Sequence, residues 1–139
     1  YDALDDEAEL KEILHSINAK YGSYAVFGNH DVTETLVGGF STASSRKAFR
    51  DSRMESFLDE AGINIMLDEV TTIADGKINL IGRLDGEKAG DGTRNRKDLS
   101  ELIEQCDMSK PVIVINHEPD KLHEAADMGV DVMLSGHTH

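Results

Sequence analysis

The chain has 139 residues, a net charge of −13 and one cysteine. This length is typical of one domain with its own hydrophobic core. The negative charge argues against nucleic acid or an anionic membrane surface as partner, and it disfavours a phosphate substrate unless a bound divalent cation reverses the local field. A single cysteine, Cys106, excludes an internal disulfide and is expected to fill the core near a helix end. No apolar run is long enough to span a bilayer, so we expect a soluble, cytoplasmic protein.

The first half of the chain is predicted to alternate helices with short strands. In chain order the elements are a helix over residues 5–21, a strand over 23–27, an ordered loop over 32–45, a helix over 46–61 and a strand over 63–67. The first helix has apolar residues at intervals of three and four along one face. Gly22 and Gly62 directly follow the two helices and are typical stop signals. Ser44 or Ser45 is expected to cap the second helix.

The second half continues the alternation. The predicted elements are strands over residues 70–73 and 77–81, a mobile loop over 83–97, a helix over 98–106, a strand over 111–115, a helix over 120–128 and a strand over 130–134. Asp75-Gly76 is a strong hairpin signal between the first two of these strands. The strand over 111–115 is continuously apolar and is expected at the centre of the sheet. The pattern predicts an α/β fold, a mixed sheet with one inserted antiparallel hairpin.

Three predicted strands are followed at once by polar residues. The segments are Gly28-Asn29-His30-Asp31, Asn116-His117-Glu118 and Gly136-His137-Thr138-His139. Because parallel neighbouring strands end on one edge of a sheet, imidazoles and an amide oxygen are expected to converge there. Such a set suits zinc, iron, manganese or nickel, and two histidines one residue apart can serve two ions. A Gly-Asn pair is also a common turn signal, so the first segment alone leaves a plain turn open.

In this order, GNHD at 28–31, a lone His117 after a strand and GHTH at 136–139 resemble the later motifs of the calcineurin-like metallophosphoesterases. Each motif alone is weak, but three in order are specific. The resemblance covers nearly the whole chain, and the phrase at 116–120 is similar to a bacterial branch of the family. It implies a four-layer α/β/β/α sandwich. Since the chain starts at Tyr1 and stops within a motif, we expect residues 1–139 to be one domain, the C-terminal portion of a catalytic domain truncated at both ends.

The resemblance also implies a site with two divalent ions, which could be Mn, Fe, Zn, Ni or Mg. Asn29, His117 and His137 would bind one ion, and His139 the other. His30 would stabilise the transition state and protonate the leaving oxygen, with Asp31 holding it. A hydroxide bridging the ions would attack the phosphorus of a phosphate mono- or diester in line.

Two earlier motifs of the family, Asp-x-His and Gly-Asp-x-x-Asp or -Arg, do not occur before Gly28. Residues 90–94 spell the second, but they follow no apolar strand and are interpreted as a chance match. The chain is therefore expected to contain about half a site, to hold its metals partly or not at all, and to be inactive alone. Loss of central strands would expose unpaired strand edges, which predicts self-association.

Alternatives from other classes remain at this point. The fold could serve as a non-catalytic scaffold or as a single-metal binding module, although retention of His30 favours catalysis. Nine of the fourteen Lys and Arg residues lie within 46–53 or 83–97, and Arg46, Arg50 and Arg53 have the spacing of one helix face. These basic residues could form a rim that guides a phosphate, but a solvated face with local ion pairs is the preferred interpretation. His15 and His123 are expected on the surface.

Overall fold

A computed structural model of the chain describes residues 6–34, 48–86, 88 and 95–138. The helices within these ranges are α1 Glu7–His15, α2 Ser52–Glu60, α3 Leu99–Ile103 and α4 Leu122–Asp127. The strands are β1 Ser23–Ala25, β2 Val32–Glu34, β3 Ala48–Arg50, β4 Ile63–Ile65, β5 Glu69–Ile73, β6 Ile78–Gly82, β7 Val112–Asn116 and β8 Val132–Ser135. The α/β class predicted from the sequence is confirmed. No helix of the described residues is long and apolar enough to cross a membrane.

The largest sheet has the order β5-β6-β7-β8. Strands β6, β7 and β8 are parallel, whereas β5 pairs antiparallel with β6 through the turn at 74–77. Strand β7 lies between two parallel neighbours, as its continuous apolar sequence predicted. Its register pairs Asn116 with Ser135, so the segments that follow β7 and β8 leave the sheet at the same edge.

The main hydrophobic core lies between this sheet and the helices α3 and α4. Its fully buried members are Ile81, Leu99, Leu102, Val112, Val114 and Ala125. Cys106 is half-buried and packs against this cluster, as expected from its position near a helix end, and burial raises the pKa of its thiol. This core fixes the ends of β7 and β8 relative to each other.

The first predicted helix is shorter in the structure. Helix α1 ends at His15 instead of residue 21, and Asp6 caps its start by accepting a hydrogen bond from the Glu9 backbone N–H. Ile13 and Ile17, two of the apolar residues that defined the predicted face, are 54 % and 53 % exposed. Without an apolar surface to cover them, the periodicity alone does not extend the helix.

A loop over 32–45 and a helix over 46–61 were predicted, and both predictions are wrong where the structure has the short strands β2 and β3. Strand β2 begins at Val32 and pairs antiparallel with β3, and helix α2 begins only at Ser52. Asp51 caps α2 by accepting from the Arg53 backbone N–H. The two predicted caps and residues 35–47 lie outside the described residues. The pairing of β2 with β3 is non-local, so no local periodicity announces it.

The arginine face predicted for this segment is also wrong, because Arg50 lies in β3 and Arg53 in α2. Arg50 pairs with Glu55 at 2.7 Å, and Arg53 pairs with Asp51 at 2.8 Å. These are local ion pairs, as the preferred interpretation of the basic residues expected. Arg53 lowers the pKa of the Asp51 carboxyl through a side-chain hydrogen bond. Arg46 lies outside the described residues.

The first residues of the segment 83–97, which was predicted as a mobile loop, are buried in the structure. Arg83, Leu84 and Asp85 are buried, and Arg83 donates from Nη2 to the backbone carbonyl of Lys97 at 2.8 Å. Burial lowers the pKa of the Arg83 guanidinium. The chance match at 90–94 lies outside the described residues, so its interpretation stays a prediction.

Candidate functional site

The segments that follow β1, β7 and β8 meet at one point. Asn29 Oδ1 lies 2.9 Å from His117 Nε2, and the same His117 nitrogen lies 3.1 Å from His137 Nδ1. The two imidazole rings meet edge to face, with centroids 5.0 Å apart and planes at 83°. Three side chains from positions far apart in the sequence therefore turn their electron-pair donors toward each other. The three strand-end segments predicted this juxtaposition, but the shared sheet edge expected for all three is wrong for Asn29, because β1 pairs with β4 in a separate two-stranded sheet.

Gly28 makes room for the His117 ring. A Cβ atom at residue 28 would lie 2.5 Å from Cε1 and 2.6 Å from Nδ1 of His117, which is closer than any real contact of this kind. Glycine is thus needed here for close approach of a side chain to the backbone. The glycine also allows Asn29, the next residue, to stand beside the imidazole.

The turn after β8 places His137. The Gly136 backbone N–H donates to the His117 carbonyl at 3.0 Å, and the Thr138 N–H donates to the Gly136 carbonyl at 2.8 Å. His137 has a φ of +69°, a left-handed conformation that few non-glycine residues adopt. Such conformations cost about 1–3 kcal/mol and concentrate at functional sites. The conformation directs Nδ1 of His137 toward the His117 ring.

The turn at residues 28–31 is stabilised by hydrogen bonds between its first residue, Gly28, and its last, Asp31. The Gly28 backbone N–H donates to Asp31 Oδ2 at 2.8 Å, and the Asp31 N–H donates to the Gly28 carbonyl at 3.1 Å. His30 is exposed at the tip of this turn, and its ring makes no hydrogen bond with a described residue. The roles predicted for His30 and Asp31 stay predictions. His139 lies outside the described residues, so its assignment to a second ion also stays a prediction.

Three electron-pair donors at one point favour a cation. Each nitrogen of a neutral imidazole either donates a proton or offers a lone pair, so His117 Nε2 cannot both donate to Asn29 Oδ1 and accept from His137 Nδ1 in one tautomer. The separations of 2.9 and 3.1 Å are ordinary hydrogen-bond distances, so it is the type of the donors that points to a metal. Imidazole nitrogens and an amide oxygen are ligands that divalent ions accept. The donor set therefore fits a divalent metal ion.

The same donor set is incomplete within the part of the chain that is described. No group of three or more His, Cys, Asp or Glu side chains in the described ranges is placed to hold a metal ion. The third donor at the site is an amide oxygen, from Asn29, and all three donors are neutral. They leave the full charge of a bound ion available for an anionic ligand.

Two basic residues beside the site belong to the basic segment at 83–97, but the sequence does not single them out. Lys88 donates from Nζ to the Asn29 backbone carbonyl at 3.3 Å, and Arg96 donates from Nη1 to Asn116 Oδ1 at 3.2 Å. Both lie in the segment that was predicted to be a mobile loop, where charged residues carry no periodic signal. The buried Asn116 directly before His117 was the available clue, since a buried amide needs partners.

The predictions for the remaining histidines are confirmed. His15 is exposed at the end of α1, and His123 is exposed on α4. Neither histidine belongs to the cluster of Asn29, His117 and His137.

A family model described as calcineurin-like phosphoesterase matches residues 2–139. The chain belongs to this family. The calcineurin-like phosphoesterases were also the family that the three motifs resembled. Membership accounts for the meeting of the motif residues, and the family's divalent metals suit the donor set described above.

Among curated proteins, the chain is similar to UDP-2,3-diacylglucosamine pyrophosphatase LpxG of Chlamydia trachomatis, with 26 % identity over 94 % of this chain and 47 % of the relative. An uncharacterized metallophosphoesterase of Aquifex aeolicus is 29 % identical over 94 % of this chain and 43 % of its own length. The metallophosphoesterase YkoQ of Bacillus subtilis, also uncharacterized, is 27 % identical over 99 % and 47 %. The chain thus spans about half the length of these phosphoesterases. No solved structure matches it significantly.

Proposed function

We propose that the protein to which this chain contributes hydrolyses a phosphate mono- or diester with divalent metal ions. Asn29, His117 and His137 would bind one ion. The observation that supports this most directly is the meeting of Asn29 Oδ1, His117 Nε2 and His137 Nδ1 at separations of 2.9 and 3.1 Å. Family membership supports the reaction class.

The residues of the chain would divide the work. Asn29 and the two imidazoles bind and orient the ion with neutral donors, so the site attracts a phosphate in spite of the net charge of −13. When bound, divalent ions activate water and stabilise the negative charge that develops on phosphoryl oxygens. His30, exposed beside Asn29, holds the proton that the leaving oxygen takes up. Asp31 keeps the turn closed through the Gly28 N–H.

The complete site would hold two ions in a four-layer α/β/β/α sandwich with the β5–β6 hairpin inserted. His139 would contribute to the second ion. The described residues supply three neutral donors and no carboxylate to bridge two ions. This chain alone is therefore expected to have about half a site and to turn over slowly or not at all. A single-metal binding module is the second candidate for the chain itself, and the same three-donor set favours it.

The substrate class includes one linkage beyond simple esters. One relative is named as a UDP-2,3-diacylglucosamine pyrophosphatase, which places pyrophosphate linkages among the candidates for the parent protein. Hydrolysis of a pyrophosphate anhydride leaves a phosphate group on each side of the bond that breaks. Lys88, whose ammonium lies beside the Asn29 backbone, is positioned to meet such a group.

Zinc titration of the chain, followed by imidazole nitrogen NMR, tests the metal site. We expect zinc to shift the ring nitrogens of His117 and His137, and His117→Ala to weaken binding by about a hundredfold or more. His123→Ala is the matched control, since His123 is exposed on α4, and it should leave the affinity unchanged. Zinc shifts at His15 and His123 without shifts at His117 would contradict the proposal.

An activity assay separates the candidates. With manganese, a longer natural protein containing this chain should hydrolyse bis-p-nitrophenyl phosphate or p-nitrophenyl phosphate, and His30→Ala should lower kcat more than KM. Metal binding without turnover in that longer protein would favour the single-metal module, and neither property would favour a scaffold. Turnover by the present chain alone at about 1 per second or faster would contradict the half-site proposal.

We also propose that the chain self-associates through β8. This strand pairs on one side with β7, and within the described residues nothing pairs with its other side. Val132 and Leu134 of β8 are 44 % and 54 % exposed. An exposed edge strand with apolar side chains is a template for pairing with a second copy.

A further inference from the structure

A buried amide lies directly beneath the candidate metal site. Asn116, the last residue of β7, is 1 % exposed, and its side chain uses both ends. Its Oδ1 accepts from Arg96 Nη1 at 3.2 Å. Its Nδ2 donates to the Glu118 carbonyl at 2.7 Å and to Asp120 Oδ1 at 2.5 Å. The side chain therefore joins Arg96 to the turn that contains His117.

Arg96 and Asp120 complete the arrangement. The Arg96 guanidinium donates from Nη2 to Asp120 Oδ2 at 2.5 Å, and from Nη1 also to the Leu84 carbonyl at 3.3 Å. The Arg96 side chain is only 11 % exposed. One guanidinium thus joins the segment after β6 to the turn after β7. A planar fork that serves two acceptors in fixed geometry is a property of arginine that lysine lacks.

These bonds enclose the turn over residues 116–120, which contains His117. The turn is held from beneath by Asn116, Arg96 and Asp120, and from the side by the Gly136 N–H on the His117 carbonyl. None of the three residues beneath contacts the point where the ring nitrogens meet. Their effect on that point therefore passes through the backbone of the turn.

We propose that the Arg96–Asp120 ion pair, acting through Asn116, is a positioning device for His117. It holds the 116–120 turn so that His117 Nε2 faces Asn29 and His137 at once. This inference rests on the proposed function, in which His117 binds metal. It assigns to Arg96, Asn116 and Asp120 the part of positioning residues, since they act through His117 and contact neither metal nor substrate.

A positioning role differs from a purely structural one in what its loss changes. Loss of an outer partner of a metal ligand typically costs about 10- to 100-fold in metal affinity. A structural ion pair would change the unfolding midpoint and leave the affinity of the folded protein intact. The discriminating quantity is therefore zinc affinity measured at a temperature where every variant is folded.

The experiment compares Asp120→Asn with Asp107→Asn in the whole chain. Asp107 is the matched control because its carboxylate also pairs with a cation, Lys110 at 3.0 Å, but in an exposed turn before β7. Hydrogen bonds from Ser109 lower the pKa of Asp107 to about 2, so the Asp107 carboxylate is charged at neutral pH. Zinc affinity is measured by calorimetry, and the His117 ring nitrogens are followed by NMR before and after zinc is added.

We expect Asp120→Asn to weaken zinc binding by about 10- to 100-fold and to shift the His117 ring signals before zinc is added. Asp107→Asn should do neither. Arg96→Lys keeps the charge and loses the fork, so it should weaken zinc binding by about tenfold; it also serves if Asp120→Asn does not fold. Zinc affinity equal to the unaltered chain in folded Asp120→Asn or Arg96→Lys overturns the inference.

Failure of the proposed function gives a different result. If zinc does not shift His117 in the unaltered chain, His117 is not a ligand, and the proposed metal site falls. If zinc shifts His117 in the unaltered chain and in the variants with equal affinity, the metal site stands, and the positioning role of Arg96 and Asp120 is refuted.

Discussion

The two parts of the molecule that supply the site differ in how well they are packed. Around the four-stranded sheet, Ile81, Leu102, Val112 and Val114 are completely buried. In the amino-terminal part, helix α1 has no buried residue. His117 therefore follows a strand of the dense core, whereas His137 follows the exposed edge strand β8 and Asn29 follows a three-residue strand with one parallel partner. The distance between Asn29 and His117 therefore depends on how a thinly packed region is held against a well-packed one.

The largest expected effect tests the packing difference itself. Leu102→Ala should lower the free energy of unfolding by about 2–5 kcal/mol, because it leaves a cavity in the main core. Ile13→Ala on α1 should change it by less than about 0.5 kcal/mol, since Ile13 is 54 % exposed. Urea unfolding followed by far-UV circular dichroism measures both. Equal losses from the two variants would show that the amino-terminal part is as tightly packed as the sheet.

The next effect sharpens the comparison at the junction. Gly28→Ala places a Cβ where the His117 ring lies and should weaken zinc binding by at least about tenfold, or about 1.4 kcal/mol. Gly136→Ala is the control, because a Cβ there would lie 3.9 Å from His117 Nδ1, an ordinary contact. Calorimetric titration with zinc measures both affinities. If Gly28→Ala and Gly136→Ala bind zinc with equal affinity, the backbone around residue 28 can move away from the His117 ring. The close approach of Gly28 to His117 would then not determine zinc affinity.

The smallest effect concerns the edge of the dense region. Val132→Lys should weaken self-association by about 1 kcal/mol, because it replaces an exposed apolar contact on the edge strand β8 with a charge. Met108→Lys is the control, since Met108 is 48 % exposed and lies outside any strand. Sedimentation velocity over a range of concentrations measures the association. A chain that is monomeric at all concentrations would contradict the proposal for β8.

The dense region was also the more predictable one. Strand β7 was placed at the centre of the sheet by its unbroken apolar run, and α3 and α4 were placed within a few residues of their ends. Their signals are local, because each element buries a continuous face. In the thin region, β2 and β3 pair across residues 35–47, and neither strand has a pattern of its own that reveals the partner.

The candidate site also has a part that could be predicted from the sequence and a part that could not. The meeting of His117 and His137 followed from the rule that side chains after parallel strands share an edge of the sheet. For Asn29 the rule does not apply, because β1 pairs with β4 in a separate sheet. The supports beneath them did not follow from it. Arg96 lies in a segment with no periodic signal, and its partners Asn116 and Asp120 are 20 and 24 residues away. A single sequence cannot show which of many charged residues is folded inward.

The register of β7 and β8 limits where the length of this chain can change. Asn116 is paired with Ser135, and both histidines are reached within two residues of that pair. One residue added between 132 and 137 would turn alternate side chains to the opposite face and carry His137 away from its neighbours. Residues added between Pro119 and Gly129 would meet a different limit, because Asp120 pairs with Arg96 and Ala125 of α4 belongs to the main core. In descendants of this sequence, the few positions that end β8 can therefore admit substitution but not insertion.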